Sequence, residues 1–335
     1  MQAVVVDHWL KGPEEIKVSV AAVPEPGDGE VLVDVAYAGA NFYDILMVQG
    51  KYQFRPTFPF IPGTEFSGVI GKLGSGVSGW KVGQEVYGMT MLGAYAEKVV
   101  VPANKIRPVP KGMSLVDAAG FSMTYPTSYC ALVYRANLLK GETLLVHAAA
   151  GGVGVAAVQI GKALGARVIG TVGSAEKVEV AKKGGCDEVI NYKDEDFVEK
   201  VKELTDGRGA DVIYDPVGGE VFDKSTKVIA WGGRLLVVGF AGGKIPSVQT
   251  NRVLLKNCSI VGVFWGSYEI HQPHKIEETF QALTEMYAKG HLKPVTCAVY
   301  PLVELPQALK HIGSRQSYGK VIVQTSSNRG TTAKL

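Results

Sequence analysis

Gly151, Gly152 and Gly154 fall where the period of the sequence changes. Residues 143–148 before them are apolar, partly β-branched and of strand length. In 153–164 after them, Val155, Val158, Ile160 and Leu164 recur at roughly helical spacing until Gly165 offers a C-cap. Strand, glycine turn and helix in that order suit a pyrophosphate. The chain turns without a Cβ, brings its backbone close to the phosphates, and aims unsatisfied helical N–H groups at their charge. The spacing reads Ala-x-Gly-x-x-Gly through Ala149, Gly151 and Gly154, with alanine where the strict dinucleotide fingerprint has its first glycine. A buried helix on a sheet, or a membrane span over 144–160, would also be nearly uncharged. His147, Gln159 and the glycines oppose a span, and the strands and helices that alternate downstream support the nucleotide reading.

The same fingerprint expects a carboxylate for the ribose hydroxyls of NAD about twenty residues further on. Here the next strand closes on Thr171-Val172-Gly173-Ser174, and the next charged residues are Glu176 and Lys177. With no carboxylate at the strand tip a 2′-phosphate meets no repulsion, and Lys177 reaches it as a point charge. NADPH is therefore expected over NADH.

The elements that must hold these residues can be read from period and punctuation. From 1 to about 107 the chain is rich in strands (1–6, 16–22, 30–37, 68–73, 85–88 and 94–101) separated by Pro-Gly, Gly-Asp-Gly and Gly-Ser-Gly, with one short helix around 43–47. This predicts an all-β, barrel-like domain. Ser114 and Asp117 open a capped helical stretch, and 127–137 reads as a second helix leading into the glycine motif. Strands then follow at 167–172, 188–190, 211–215, 234–238 and 259–264. Helices lie between them at 175–183, after Asp194, and near 222–229. With 143–148 these make six strands of a doubly wound parallel sheet, an α/β fold of Rossmann type. A helix at 275–288 and strands at 295–299 and 320–325 close the chain.

The chain has 335 residues, enough for two domains. With 46% hydrophobic and 20% charged residues and a net charge of +3, it has the balance of a soluble globular protein. Lys and Arg are scattered, which predicts neither nucleic-acid nor membrane-surface binding. Cys130, Cys186, Cys258 and Cys297 lie outside any metal or disulfide spacing and read as reduced thiols. No secretory signal opens the chain, so a cytoplasmic protein is expected. The polar tail 328–335, read as disordered, ends in Ala333-Lys334-Leu335, close to the Ser-Lys-Leu address of peroxisomes.

Motifs spread over both halves carry a resemblance. They are AGANFYD from Ala38, PGTEFSGVI from Pro62, GAYAEKVVVP from Gly93, HAAAGGVG from His147, INY from Ile190, VGFAGG from Val238 and GKVIV from Gly319. In these the chain resembles the zinc-independent medium-chain dehydrogenases/reductases, the NADPH:quinone oxidoreductase (zeta-crystallin-like) group in particular. The resemblance implies a GroES-like β-barrel catalytic domain from both ends of the chain (1–123 and 298–327) with a Rossmann domain (124–297) inserted. It places Asn41 and Thr64 where zinc-dependent relatives have a metal-binding cysteine and histidine, which leaves no catalytic zinc site. Gly151, Gly152 and Val153 are implied at the pyrophosphate, with Lys320 pairing its charge. Gly173, Ser174, Lys177 and Tyr192 are implied around the 2′-phosphate and adenosine. Thr127, Gly239, Phe240, Phe264, Trp265 and Gly266 are implied along the nicotinamide half. Asn41, Asp44 and Tyr52 match positions lining the family's active cleft, although Leu46 stands where some members have tyrosine.

The activity implied is transfer of hydride from NADPH to a quinone, with Asn41 and Tyr52 as hydrogen-bond donors to the developing oxyanion. The same chemistry on an α,β-unsaturated carbonyl is the alternative. A third reading, of another class, is a crystallin-like or RNA-binding protein without catalysis, which the lack of a basic stripe opposes. The apolar run 259–264 at a sheet edge, together with the resemblance, implies a homodimer.

Overall fold

The computed structural model describes residues 1–325, which fall into two compact units: Met1–Met123 together with the segment that opens at Thr296, and Thr124–Val295. The tail 328–335, with Ala333-Lys334-Leu335, lies outside the described residues.

The first unit opens with β1 (Gln2–Val4), β2 (Val18–Val20), β3 (Glu30–Ala40), α1 (Phe42–Val48), β4 (Glu65–Leu73), β5 (Glu85–Met89), β6 (Lys98–Pro102), β7 (Ile106–Pro108) and α2 (Leu115–Ala119). The helix α3 (Phe121–Tyr129) carries the chain into the second unit. There the order is β8 (Thr143–Val146), α4 (Gly152–Ala163), β9 (Arg167–Val172), α5 (Ala175–Gly184), β10 (Glu188–Asn191), α6 (Phe197–Leu204), β11 (Ala210–Asp215), α7 (Gly219–Ser225), β12 (Ile229–Val237), α8 (Thr250–Lys256), β13 (Ser259–Gly262), α9 (Tyr268–His271) and α10 (His274–Ala288). The chain then returns to the first unit with β14 (Thr296–Pro301), α11 (Leu305–Gly313) and β15 (Lys320–Gln324).

In the first unit β3 is the spine. It pairs antiparallel with β4 along its length, with β6 at Glu30 to Asp34 and with β15 at Tyr37 to Ala40. The seven-stranded sheet runs β14-β15-β3-β4-β5-β7, with β6 attached to β3. The alternation expected of strands with one wet face appears as a core of Val31, Val33, Val35, Phe66, Ile70, Val86, Val321 and Val323.

In the second unit six strands pair in the order β10-β9-β8-β11-β12-β13, every pairing parallel. Renumbered from β8 this is the Rossmann order 3-2-1-4-5-6, whose direction reverses between β8 and β11. Leu145, Ile169, Ile190, Phe197, Val201, Ile213 and Leu235 form one core beneath it.

Two local readings are corrected. The helix expected over 127–137 is instead α3 ending at Tyr129 and a wider π-type turn over Cys130–Arg135, downstream of Pro126, which lacks the N–H a regular ladder needs. The cap of α6 is Asp196, whose Oδ1 accepts from Val198 N at 2.7 Å, because Asp194 is held by the Asn191 amide. The helices α8, α9 and α11 have no counterpart in the sequence reading, and none has a side-chain N-cap to announce it.

Candidate active site

The glycine turn is built as its residue types require. β8 ends at Val146, Ala148 sits at φ +51°, and α4 begins with Gly151 as N-cap and Gly152 as its first residue. A Cβ on Gly154 would lie 2.0 Å from the Ala148 carbonyl oxygen, so only glycine lets α4 come this close to the turn. At Gly151 the nearest atom to such a Cβ is 3.2 Å away, again Ala148 O. The Ala149 that replaces the first glycine donates its N–H to Thr171 O at 3.0 Å.

Because all six strands run the same way, the segments leaving their carboxyl ends share one edge. That edge collects Gly151, Gly152 and Val153 after β8, Gly173 and Ser174 after β9, Tyr192 after β10, Gly239 and Phe240 after β12, and Phe264 after β13. Open parallel sheets bind ligands at this edge, beside the reversal of strand order. Ser174 caps α5 and its hydroxyl accepts from Lys177 N, which starts Lys177 in the first turn of that helix. Tyr192 lies half exposed with its hydroxyl against Gly173, where a Cβ would be 2.3 Å away. No carboxylate follows β9 before Glu176. Thr127 lies in α3, and the neighbouring Ser128 hydroxyl donates to Val153 O at 2.9 Å. A glycine cradle, the N-terminus of α4 and an uncharged strand tip fit a dinucleotide with a 2′-phosphate.

Trp265 stands apart from this set. It is 6% exposed and stacks on Tyr268 at 5.5 Å, which in turn stacks on Tyr134 at 6.0 Å, so its ring packs inward instead of lining the nicotinamide half. Phe264 beside it is 67% exposed, and Gly266 is exposed too.

In the first unit the residues gather differently from the expectation. An ammonium has three protons, and Lys320 gives them to Glu65 Oε1 at 2.6 Å, Asn41 Oδ1 at 2.7 Å and Ala40 O at 3.0 Å. This leaves no proton for a pyrophosphate, and the role implied for Lys320 is corrected to that of a buried ion-pair partner. Asn41 is drawn into the same network. Its Nδ2 donates to Glu65 Oε1 at 2.9 Å and, more weakly, to Gly39 O at 3.3 Å, so it is not the open oxyanion donor expected.

Asp44 does not line a cleft. It is fully buried, with Oδ2 accepting from Asn41 N at 2.8 Å and from the Tyr95 hydroxyl at 2.6 Å, while Oδ1 is buried without a partner. Burial pushes its carboxyl up to about 7, against the opposing pull of the Tyr95 bond. The Tyr43 hydroxyl bonds Thr64 Oγ1, and the Tyr43 ring lies 5.2 Å from that of Tyr52. Tyr52 is half-buried, and burial, followed by the Asp44 charge, raises its phenol above the usual tyrosine range. It is a neutral O–H donor at pH 7.

Glu65 and Tyr95 were missed as functional candidates. The signal for Glu65 was a carboxylate inside the otherwise apolar strand run TEFSGVI, a residue type that is almost never buried unless paired.

Comparisons with known proteins respect this division. Residues 27–111 match the alcohol dehydrogenase GroES-like domain, and 152–286 match the zinc-binding dehydrogenase family. The quinone oxidoreductase-like protein 2 homolog of Nematostella vectensis is 41% identical over 302 residues, covering 89% of this chain and 82% of that one. Among solved structures, the Escherichia coli quinone oxidoreductase complexed with NADPH superposes with a TM-score of 0.89 at 32% identity, over 97% of this chain and 100% of that one. A 2-haloacrylate reductase does so with 0.82 at 31%, over 98% and 100%. The two domains define a medium-chain dehydrogenase/reductase, with a GroES-like domain and a Rossmann domain. Within that class the chain belongs to the zinc-independent quinone oxidoreductase group.

The residues present do not fit a zinc ion. Asn41 Oδ1 faces the Lys320 ammonium, which would repel a metal cation, and the Thr64 hydroxyl is held by Tyr43.

Proposed function

We propose that this oxidoreductase is an NADPH-dependent reductase that delivers hydride to a quinone without zinc. The observation that carries the reading is the carboxyl edge of the parallel sheet. There a turn able to hold an anion on its backbone lies beside a strand tip, Val172-Gly173-Ser174, that bears no carboxylate. Gly151, Gly152 and Val153 hold the pyrophosphate; Gly173, Ser174, Lys177 and Tyr192 hold the adenosine and its 2′-phosphate; Thr127, Gly239, Phe240, Phe264 and Gly266 line the nicotinamide half. The similarity to a quinone oxidoreductase solved with NADPH supports this assignment.

NADPH, when bound, supplies the hydride. The chain orients the reactants and keeps water away. Tyr52 donates its neutral O–H to the substrate oxygen on which charge develops, and the Lys320–Asn41–Glu65 network fixes the start of α1, which carries Tyr43 toward Tyr52.

Steady-state rates with NADPH test the reading. Turnover of a 1,4-benzoquinone with kcat/KM well above that for a 2-enal supports it, and Tyr52→Phe should lower kcat/KM by about 10²-fold. The reverse preference supports reduction of an α,β-unsaturated carbonyl, a second reading favoured by the likeness to a 2-haloacrylate reductase. No turnover with either class defeats both. The working form is a homodimer joined through the β13 edge. Its place is the cytoplasm, or the peroxisome if Ala333-Lys334-Leu335 is read as an address, which imaging with and without those three residues decides. Among the described residues no helix is long and apolar enough to cross a membrane.

A further inference from the structure

His147 is buried to 1% exposure at the end of β8, and both of its ring nitrogens are engaged: Nδ1 lies 2.9 Å from Thr171 Oγ1 and Nε2 lies 2.8 Å from Ser225 Oγ. Counting protons fixes which nitrogen carries hydrogen. Ser225 gives its single hydroxyl proton to Val221 O at 2.7 Å, so toward His147 it can only accept. Nε2 is therefore the N–H donor, Nδ1 is bare, and the Thr171 hydroxyl donates to it. Phe197 closes the pocket edge-on at 5.0 Å. The groups that face the ring from β9, α6 and α7 are thus a hydroxyl, a phenyl and a hydroxyl, none of them charged.

The ring stands at the entrance to the phosphate turn. Its neighbour in the chain, Ala148, is a non-glycine at φ +51°, a left-handed conformation that persists only where its surroundings over-determine it. Those surroundings are His147 and Thr171. Thr171 holds the ring through its hydroxyl, and its carbonyl accepts the Ala149 N–H at 3.0 Å, while the His147 N–H is held by Tyr214 O at 3.0 Å. The strained residue is clamped on both sides, and its own carbonyl then accepts from Gly151 N at 2.8 Å to close the turn.

We infer that His147, as a neutral ring protonated on Nε2, is a positioning residue that locks the phosphate turn Ala148 to Gly154 in its anion-binding shape. It does so by pinning that turn to the adenosine-side strand β9 and to the helix α7. This inference rests on the cofactor reading above. Burial alone depresses the ring to about 3, so the lock does not open at physiological pH.

The test compares His147→Phe, which keeps a ring and loses both bonds, with Ser225→Ala, which removes the Nε2–H acceptor together with that hydroxyl's bond to Val221 O and leaves the Thr171 bond in place. NADPH spans the pyrophosphate turn, whereas adenosine 2′-monophosphate reaches only the adenosine side. Both variants should bind NADPH about tenfold more weakly and raise its KM with kcat at saturation unchanged, while affinity for adenosine 2′-monophosphate stays within about twofold. Equal weakening of the two ligands, or unchanged NADPH affinity in both variants, overturns the inference. If His147→Phe does not fold, Ser225→Ala carries the same comparison. Nitrogen-15 spectra of labelled wild-type histidines should show one ring fixed as the Nε2–H tautomer from about pH 5 to about pH 8, its signal displaced in Ser225→Ala. An Nδ1–H tautomer, or titration in that range, also overturns it. Wild-type protein that binds adenosine 2′-monophosphate and NADPH not at all defeats the cofactor reading instead, and the tautomer remains measurable on its own.

Discussion

Lys320 Nζ lies 2.6 Å from Glu65 Oε1, and neither side chain has more than marginal contact with water. Two glycines make the room: a Cβ on Gly39 would stand 2.5 Å from Glu65 Oε1, and one on Gly120 would stand 2.8 Å from Lys320 Cγ. The second carboxylate oxygen accepts from Met123 N at 3.0 Å. Removing one partner of such a pair leaves an uncompensated buried charge, at a cost of about 3–5 kcal/mol, whereas removing both is far milder. Lys320→Met should therefore lose several times more stability in urea unfolding than the double variant Glu65→Gln/Lys320→Met. Equal losses would mean that the pair is wetter than its burial implies.

A second expectation concerns pH. The folded-state Asp44 carboxyl stands at about 7 against 3.8 for the ordinary group, so between those values the native state holds a proton that the unfolded chain has released. This group's contribution to stability is therefore greatest below about pH 4, falls as pH rises toward 7, and is flat above. Asp44→Asn keeps the acceptor for Asn41 N and Tyr95 and cannot ionise. Its stability relative to wild type should rise between about pH 5 and pH 7, at up to about 1.4 kcal/mol per pH unit. Urea midpoints at several pH values check this, and parallel curves for the two proteins would contradict it.

Much of this molecule was legible before its structure was. The nucleotide half announces itself because a strand, a glycine turn and a helix are local, and the parallel order of six strands follows from their repeated alternation. Lys320, Asn41 and Glu65 were harder to read, since their meeting depends on β15 returning beside β3 from nearly the whole chain length away. No local spacing encodes that approach. Trp265 was misread for a related reason: an aromatic residue after a strand looks the same in sequence whether it faces a ligand or, as here, stacks on Tyr268.

Gly154 and Gly173 both follow strands at the carboxyl edge of the parallel sheet, yet alanine should have different consequences at the two positions. At Gly154 the added carbon meets the Ala148 backbone at 2.0 Å, and α4 would have to move. At Gly173 it meets the far end of Tyr192 at 2.3 Å, and that side chain, 52% exposed, can swing away. Gly154→Ala should lower the melting temperature and abolish measurable NADPH binding. Gly173→Ala should melt as wild type and weaken the cofactor only through a displaced Tyr192. Calorimetry and fluorescence titration of both variants would show whether the contrast holds.

Cofactor choice offers a direct test of the strand tip after β9. NADPH should bind more tightly than NADH, and Lys177→Ala should remove about 1–3 kcal/mol of that preference, the range of a charge-assisted contact. Placing a carboxylate at the tip, by Ser174→Asp, should move the preference toward NADH by repelling the 2′-phosphate while retaining an N-cap for α5. Equal affinities of wild type for the two cofactors would refute the 2′-phosphate assignment.

The last prediction concerns β13, which pairs with β12 on one side and is the terminal strand of its sheet. Its four residues, Ser259–Gly262, include no proline or charged side chain of the kind that blunts an edge, and Leu254 and Leu255 just before it are 77% and 71% exposed. An isologous contact needs only one self-complementary edge, so two copies can join their sheets across a two-fold axis. Light scattering at micromolar concentration should give a mass twice the 35.7 kDa of one chain. The register also says where to break the contact. Val263 N donates inward to Val237 O at 3.0 Å, and N–H groups alternate along a strand, so the Ile260 N–H points outward to the open edge. Ile260→Pro deletes that outward donor and leaves the pairing with β12 its own. The variant should scatter as a monomer while still binding NADPH. A wild-type mass near that of a single chain, or an Ile260→Pro protein that stays dimeric, would rule out this edge as the interface.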